Sequence, residues 1–330
     1  MKYLEVKPNA LLADYVKCYW FLEKDYANGQ DPAETILPDG CIDLIFQFGR
    51  RLHVLANGET HQQPPAFLIG QLKQPMSLAS DGVTTTFGIR FYPYGAYPFM
   101  PSPLKELVDH TTDLDNLFRG ITASLSENIA TLSPNNAFME FERFLLERLA
   151  NSEIDLYDIG AIMAATRLLY SQNGMLDALS LANYANLSLR SLERKFTEMI
   201  GYSPKTLGRI LRFNQVKNTL IFHPTMSLTE LAHQYHYYDQ AHFIHDFQQF
   251  TGQTPSAFTA HSAPPAATSS AASAAAAARI PVSTAATEST KPRNNSSSRP
   301  SASEPAREMR ASSSANSPVV KRTALPRVWR

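Results

Sequence analysis

Cysteine and tryptophan are scarce in these 330 residues, with two of each. Cys18 and Cys41 form no metal or redox spacing, so a reduced, cytoplasmic setting is expected and cysteine-metal chemistry is not. Net charge is missing too: 30 basic residues offset 30 acidic ones. That balance argues against a uniformly basic nucleic-acid binder, and any recognition must come from placement of charge rather than bulk. No apolar run approaches the ~20 residues of a membrane helix, and Met1-Lys2-Tyr3-Leu4-Glu5-Val6 lacks the apolar core of a signal peptide, so no membrane partner is expected.

What is present is unevenly distributed. Apolar residues make up 44% and aromatics 10% of the chain, enough for buried cores, and the length suits two domains with a tail. Residues 261–330 hold ten Lys/Arg against three Glu, a balance of +7 that leaves −7 in residues 1–260. Beyond Ala260 the composition collapses to Ala, Ser, Pro and Thr with no periodic apolar face, so residues 261–330 are expected to be a disordered, low-complexity basic tail.

Residues 1–112 alternate with a period of two. Ile42, Leu44, Phe46 and Phe48 share one face, with Asp43 and Gln47 on the other; Phe87, Ile89 and Phe91 oppose Thr86, Gly88 and Arg90. Tyr15 to Leu22 is apolar almost throughout, as a strand covered on both sides would be. Pro38-Asp39-Gly40, Asn57-Gly58, Pro64-Pro65 and Asp81-Gly82 punctuate the segments. A small barrel or sandwich, cupin-like, is predicted, followed by trailing helices over 115–131 and 137–150, the latter with Phe138, Phe141, Phe144, Leu145 and Leu149 along one side.

The segment 174–258 repeats itself. Ser188, Leu192, Phe196, Gly201, Ser203 and Pro204 return 51 residues later as Asp239, Phe243, Phe247, Gly252, Thr254 and Pro255, and Leu181-Ala182 returns as Leu231-Ala232. Each copy reads as a short helix, a turn, an N-cap, two large apolar residues one helical turn apart, a terminating Gly and a Ser/Thr-Pro start. Ser227 and Glu230 form a capping-box pattern, and Leu207, Leu211, Val216 and Leu220 mark a connecting helix stopped by Pro224. This is a duplicated helix-turn-helix, and the chain as a whole is predicted to be α+β, with an all-α C-terminal part.

With Leu192 and Phe196 facing inward, Arg190, Ser191, Glu193, Arg194 and Lys195 fall on the outer side of the first helix, 188–200. Arg can fork to guanine, Glu can accept from cytosine and Lys can hold phosphate. In the second helix, 239–251, the outward residues are Gln240, His242, His245 and Asp246; Gln can read adenine, whereas Asp246 would repel phosphate. One strong and one weak reading head are expected. His233, His236, His242 and His245 sit on different helices without a cysteine, so no metal or other cofactor is assigned. Asp39 and Asp43 read as turn and strand-surface residues, and nothing joins Cys18 to His53, His61 or His110 as a nucleophile–base pair.

Leu181-Ala182, Ser188-x-x-x-Leu192-x-Arg194-x-Phe196 and Gly201-Tyr202-Ser203-Pro204 resemble the first unit of AraC/XylS-type transcription regulators. Leu231-Ala232, Asp239-Gln240-Ala241-His242-Phe243, Phe247, Gly252 and Thr254-Pro255 resemble the second. The residues before them, Leu37-Pro38-Asp39-Gly40-Cys41-x-Asp43 and Gly88-x-Arg90-Phe91-x-Pro93 among them, resemble an uncharacterised β-rich domain found ahead of such regulators. The resemblance implies two recognition helices in successive major grooves, with base contacts at Arg190, Glu193, Arg194, Gln240, Ala241 and His245. It departs from the family at His236-Tyr237, where Gly-Phe is usual, and at His245, where Arg is common, which weakens the second head.

The expected organisation is a β-rich regulatory domain at 1–150, a DNA-binding domain at 151–260 and the tail. The expected function is a non-enzymatic, sequence-specific transcription regulator of activator type, open to control by a small-molecule effector. Its partners would be double-stranded DNA, RNA polymerase and a second copy of the chain. The rival is a small-molecule-binding or enzymatic N-terminal module tethered to DNA, its barrel mouth lined by Trp20, Asp43 and Arg90.

Overall fold

The computed structural model describes residues 1–27, 33–56, 58–120, 122–152, 155–223 and 225–262. Pro224 and the tail from residue 263 onward lie outside them. The period-two segments are strands: β1 (Lys2–Val6), β2 (Val16–Asp25), β3 (Ala33–Ile36), β4 (Ile42–Gly49), β5 (His53–Ala56), β6 (Glu59–Gln62), β7 (Ala66–Ile69), β8 (Met76–Ala79), β9 (Val83–Phe91) and β10 (Thr111–Asp113). They form two antiparallel sheets, one ordered β1-β2-β9-β4-β7-β10 and one ordered β3-β8-β5-β6. The β4/β9 register sets Leu44 opposite Ile89 and Phe46 opposite Phe87, so the apolar residues of both strands share a face.

That face is closed by the helices α1 (Leu114–Leu117), α2 (Thr122–Ala130) and α3 (Pro134–Ala150). Phe138, Phe141, Phe144 and Leu145 of α3 pack on it, with the Phe46 and Phe141 rings 5.2 Å apart. The opposite face is covered by the second sheet, where Trp20, Ile45, Phe67 and Ile69 meet Leu78. Two-sided cover is why β2 is continuously apolar from Cys18 to Leu22. Gly88 is required by it: a Cβ there would stand 2.1 Å from the Trp20 ring. A two-sheet sandwich with trailing helices is thus the form that the β-rich half takes.

The rest is helical: α4 (Leu156–Ser171), α5 (Ala178–Tyr184), α6 (Leu189–Met199), α7 (Pro204–Phe222), α8 (Leu228–Gln234), α9 (Gln240–Thr251) and α10 (Pro255–Ser262). Their apolar faces make one core in which Leu192, Phe196, Leu207, Phe213, Phe243 and Phe247 are fully enclosed. Tyr94, from the loop after β9, belongs to this core. The two halves are also stitched by polar contacts: Tyr202 Oη donates to the Leu72 carbonyl, Asn214 Nδ2 donates to the Pro38 carbonyl at 2.9 Å, and Arg167 pairs with Asp14. Among the described residues no helix is long and apolar enough to cross a membrane.

Candidate nucleic-acid interface

The two helix-turn-helix units are built by the same local devices. In the first, Asn186 takes a left-handed conformation (φ 53°), and the Leu187 N–H closes the turn on the Ala182 carbonyl at 2.9 Å. In the second, His236 (φ 53°) and the Tyr237 N–H on the Ala232 carbonyl, also 2.9 Å, do the same. His236 therefore occupies the position where Gly is usual, and Tyr237 is buried in the core as Phe would be. The second turn carries one additional residue, Tyr238, which explains why the upstream helices repeat at 50 residues and the caps at 51. Its ring is 92% exposed immediately before the cap. The sequence signal for it was this change of spacing.

Ser188 accepts from the Ser191 N–H at 3.2 Å to start α6, and Asp239 accepts from the His242 N–H at 2.7 Å to start α9. Ser227 and Glu230 form the full capping box of α8. Gly201 (φ 91°) ends the first unit, and Gly252 (φ 76°) ends the second. α7 joins them with 19 residues, a rigid spacer of roughly 28 Å.

On α6, Arg190, Glu193 and Arg194 are exposed and Ser191 is half-buried. Lys195 departs from the expected outward position. Its stem is buried and its ammonium pairs with Asp158 of α4, since its place on the helix points it at the preceding element rather than at solvent. Arg194 pairs with Glu198 at 3.2 Å, the i,i+4 contact that a helix face permits. On α9, Gln240, Ala241, His242 and His245 are exposed, with Gln240 Oε1 accepting from Thr229 at 2.9 Å.

Asp246 is the second correction. It is 1% exposed, not outward, and receives a bidentate fork from Arg209 of α7 at 2.6 and 3.2 Å. Its charge is neutralised inside the helical bundle, so it does not repel phosphate from this face. Sequence spacing missed this because the partner lies 37 residues away on another helix.

The trio Trp20, Asp43 and Arg90 does come together, but as a buried network rather than a barrel mouth. Trp20 Nε1 donates to Asp43 at 3.0 Å, and Arg90 pairs with Asp39 and lies 3.7 Å from Asp43. Asp43 is buried, which corrects its placement on the strand surface. Burial pushes the Asp43 carboxyl above the usual range; at Asp39 burial is outweighed by Arg90 and Lys17, which hold it below. Lys217 of α7 reaches this network from the helical half, and burial brings its ammonium down to about 8 against the pull of Asp39. Cys18 and Cys41 are free and buried, and burial raises both thiols, so neither is poised as a nucleophile. Among the described residues no group of three or more His, Cys, Asp or Glu is placed to hold a metal.

Comparison with known families matches residues 181–261 to one described as a helix-turn-helix domain. Residues 181–261 are an AraC-type helix-turn-helix domain. The match begins at Leu181, so this domain includes both caps, both turns and the spacer α7. Residues 4–113 match a domain of unknown function. No curated protein matches the chain. Among solved structures, ToxT from Vibrio cholerae is 14% identical over 72% of this chain and 97% of its own, with a TM-score of 0.40. A transcriptional regulator from Chromobacterium violaceum with an AraC-type DNA-binding domain is 23% identical over 32% of this chain and 95% of its own, TM-score 0.30. The C-terminal domain of AraT, a response regulator from Geobacillus stearothermophilus, is 22% identical over 33% and 88%, TM-score 0.28.

Proposed function

We propose that the protein is a DNA-binding transcription regulator that reads duplex DNA with α6 and α9, set in successive major grooves by α7, under control of its first 150 residues. The observation that carries this reading is the duplicated unit itself. Both second helices leave hydrogen-bonding side chains outward, Arg190, Glu193 and Arg194 on one and Gln240, His242 and His245 on the other, with the Ala241 methyl beside them for apolar contact, on a fixed spacer. Ser191, half-buried beside Arg190, joins them as a hydroxyl contact to the duplex. Lys195 has no part in it.

Residues 151–260 act as the reader and residues 1–150 as the sensor. Direct docking of the β-rich half on α6 supports control rather than mere tethering: a Cβ on Gly201, at the end of α6, would meet Val108 at 2.7 Å. A small-molecule effector, RNA polymerase and a second copy of the chain complete the set of partners, and the protein acts without catalysis. Footprinting with the full chain tests the mechanism. Specific protection that Arg190→Ala and Arg194→Ala each weaken by about 5-fold or more supports it, since a bidentate base contact is worth about 1–3 kcal/mol; protection indifferent to both substitutions sinks it.

A further inference from the structure

The two helix-turn-helix units differ at one corner. In the second, the first turn of α8 meets the first turn of α9: Thr229 Oγ1 donates to Gln240 Oε1 at 2.9 Å, and both residues are exposed. In the first, the same two places hold leucine. Leu179 stands in α5 where Thr229 stands in α8, at the 50-residue spacing of the upstream helices, and Leu189 opens α6 where Gln240 opens α9, at the 51-residue spacing of the caps. The local frame is shared. Asp177 caps α5 by accepting from the Ser180 N–H at 2.9 Å, as Ser227 caps α8 by accepting from the Glu230 N–H at 3.2 Å. The turns that follow close on the Ala182 and Ala232 carbonyls, both at 2.9 Å. The duplication therefore brings Leu179 and Leu189 to one corner at the entry of α6.

Neither leucine is spent on the helical core: Leu179 is 58% exposed and Leu189 39%. A single exposed leucine is ordinary. Two at the N-terminal end of a reading helix are not scattered surface, because that end is the part of such a helix that meets base edges. Arg190 follows Leu189 directly and Glu193 lies one helical turn beyond it, so the apolar corner is continuous with the face that carries Arg190, Glu193 and Arg194. In the major groove the apolar group that a base pair offers is the thymine C5 methyl. A protein docked on this corner would have to displace the duplex from α6.

We infer that Leu179 and Leu189 form an apolar clamp for a thymine C5 methyl, so that the half-site read by α6 holds a thymine recognised through its methyl group. This rests on the regulator proposed above and names a base that its first reading helix selects. The second unit has no such clamp. There Thr229 orients the Gln240 amide, a hydrogen-bonding group in the same place, and the two half-sites differ at this position.

Binding sites selected from random duplexes with the full chain supply the test. Each thymine of the half-site that Arg194→Ala relaxes is replaced in turn by deoxyuridine, which keeps the pairing to adenine and removes only the methyl. At one of them a loss of about 4-fold in affinity is expected, the worth of covering one methyl-sized group. In the double variant Leu179→Ser, Leu189→Ser the thymine and deoxyuridine duplexes should bind equally, whereas Arg194→Ala should bind more weakly and keep the preference for thymine. Melting of the double variant reports whether it folds, and the deoxyuridine comparison on the wild type stands without it. A half-site without thymine, deoxyuridine tolerated at every thymine there, or a thymine preference that survives in the folded double variant overturns the clamp and leaves the regulator reading intact. Failure to select any duplex overturns the regulator reading and the clamp with it.

Discussion

Asp246 and Lys217 show how a single residue can be misjudged from its own helix. Spacing alone sets Asp246 on the outer side of α9, yet Arg209, from a helix that precedes it by a full unit, draws it inside. The two partners are not equally dispensable. Arg209→Ala leaves a nearly inaccessible carboxylate unpaired and should destabilise the protein by about 3–5 kcal/mol, whereas Asp246→Ala, which leaves a partly exposed guanidinium, should cost less; urea denaturation of the two variants ranks them. Lys217 gives a pH signature. Its ordinary value of 10.5 falls to about 8 on burial, so the unfolded chain binds more protons between those limits. The contribution of Lys217 to stability is therefore lowest below pH 8 and rises as pH climbs to about 10.5. Relative to Lys217→Met, the wild type should gain up to about 3 kcal/mol across that window; a constant difference between the two stability curves would contradict the buried placement.

At the scale of elements, periodicity and punctuation carried most of the information. β4 and β9 could be read because their apolar residues alternate on a sheet face that α3 covers, and α6 and α9 because N-cap, inward pair and terminal Gly are all local chemistry. Phe196 and Phe247 are fully enclosed, so truncation of either to Ala should cost about 3–5 kcal/mol, measured by thermal or urea unfolding. The one-residue offset at Tyr238 was present in the sequence as two competing repeat lengths. Its meaning needed the backbone, because only the positive φ of Asn186 and His236 shows that the turns themselves are equivalent. The cost of the His236-Tyr237 departure is correspondingly small: the turn geometry and the buried aromatic are both kept. Asp246 is neutralised as well, so on the proposed mechanism the second helix is less handicapped than its sequence suggests, and the remaining asymmetry lies in Arg190 and Arg194 against His245.

For the whole molecule, what could not be read was the contact between the halves. Nothing local in Tyr202, Asn214 or Lys217 announces a partner in the β-rich half, since their partners Leu72, Pro38 and Asp39 are more than 100 residues away. These contacts seat α6 and α7 directly on the sheet loops. Tyr202→Phe strands the buried Leu72 carbonyl and should cost about 1–3 kcal/mol, with faster proteolysis at the junction between the halves as the accompanying observation. Whether one chain presents two reading helices one DNA turn apart is decided by selecting binding sites from random duplexes with the full chain and with its Arg194→Ala and Gln240→Ala variants. A bipartite site is expected, its halves about 10 base pairs apart, with Arg194→Ala relaxing one half and Gln240→Ala the other. A single undivided site, or the same half relaxed by both substitutions, would contradict it.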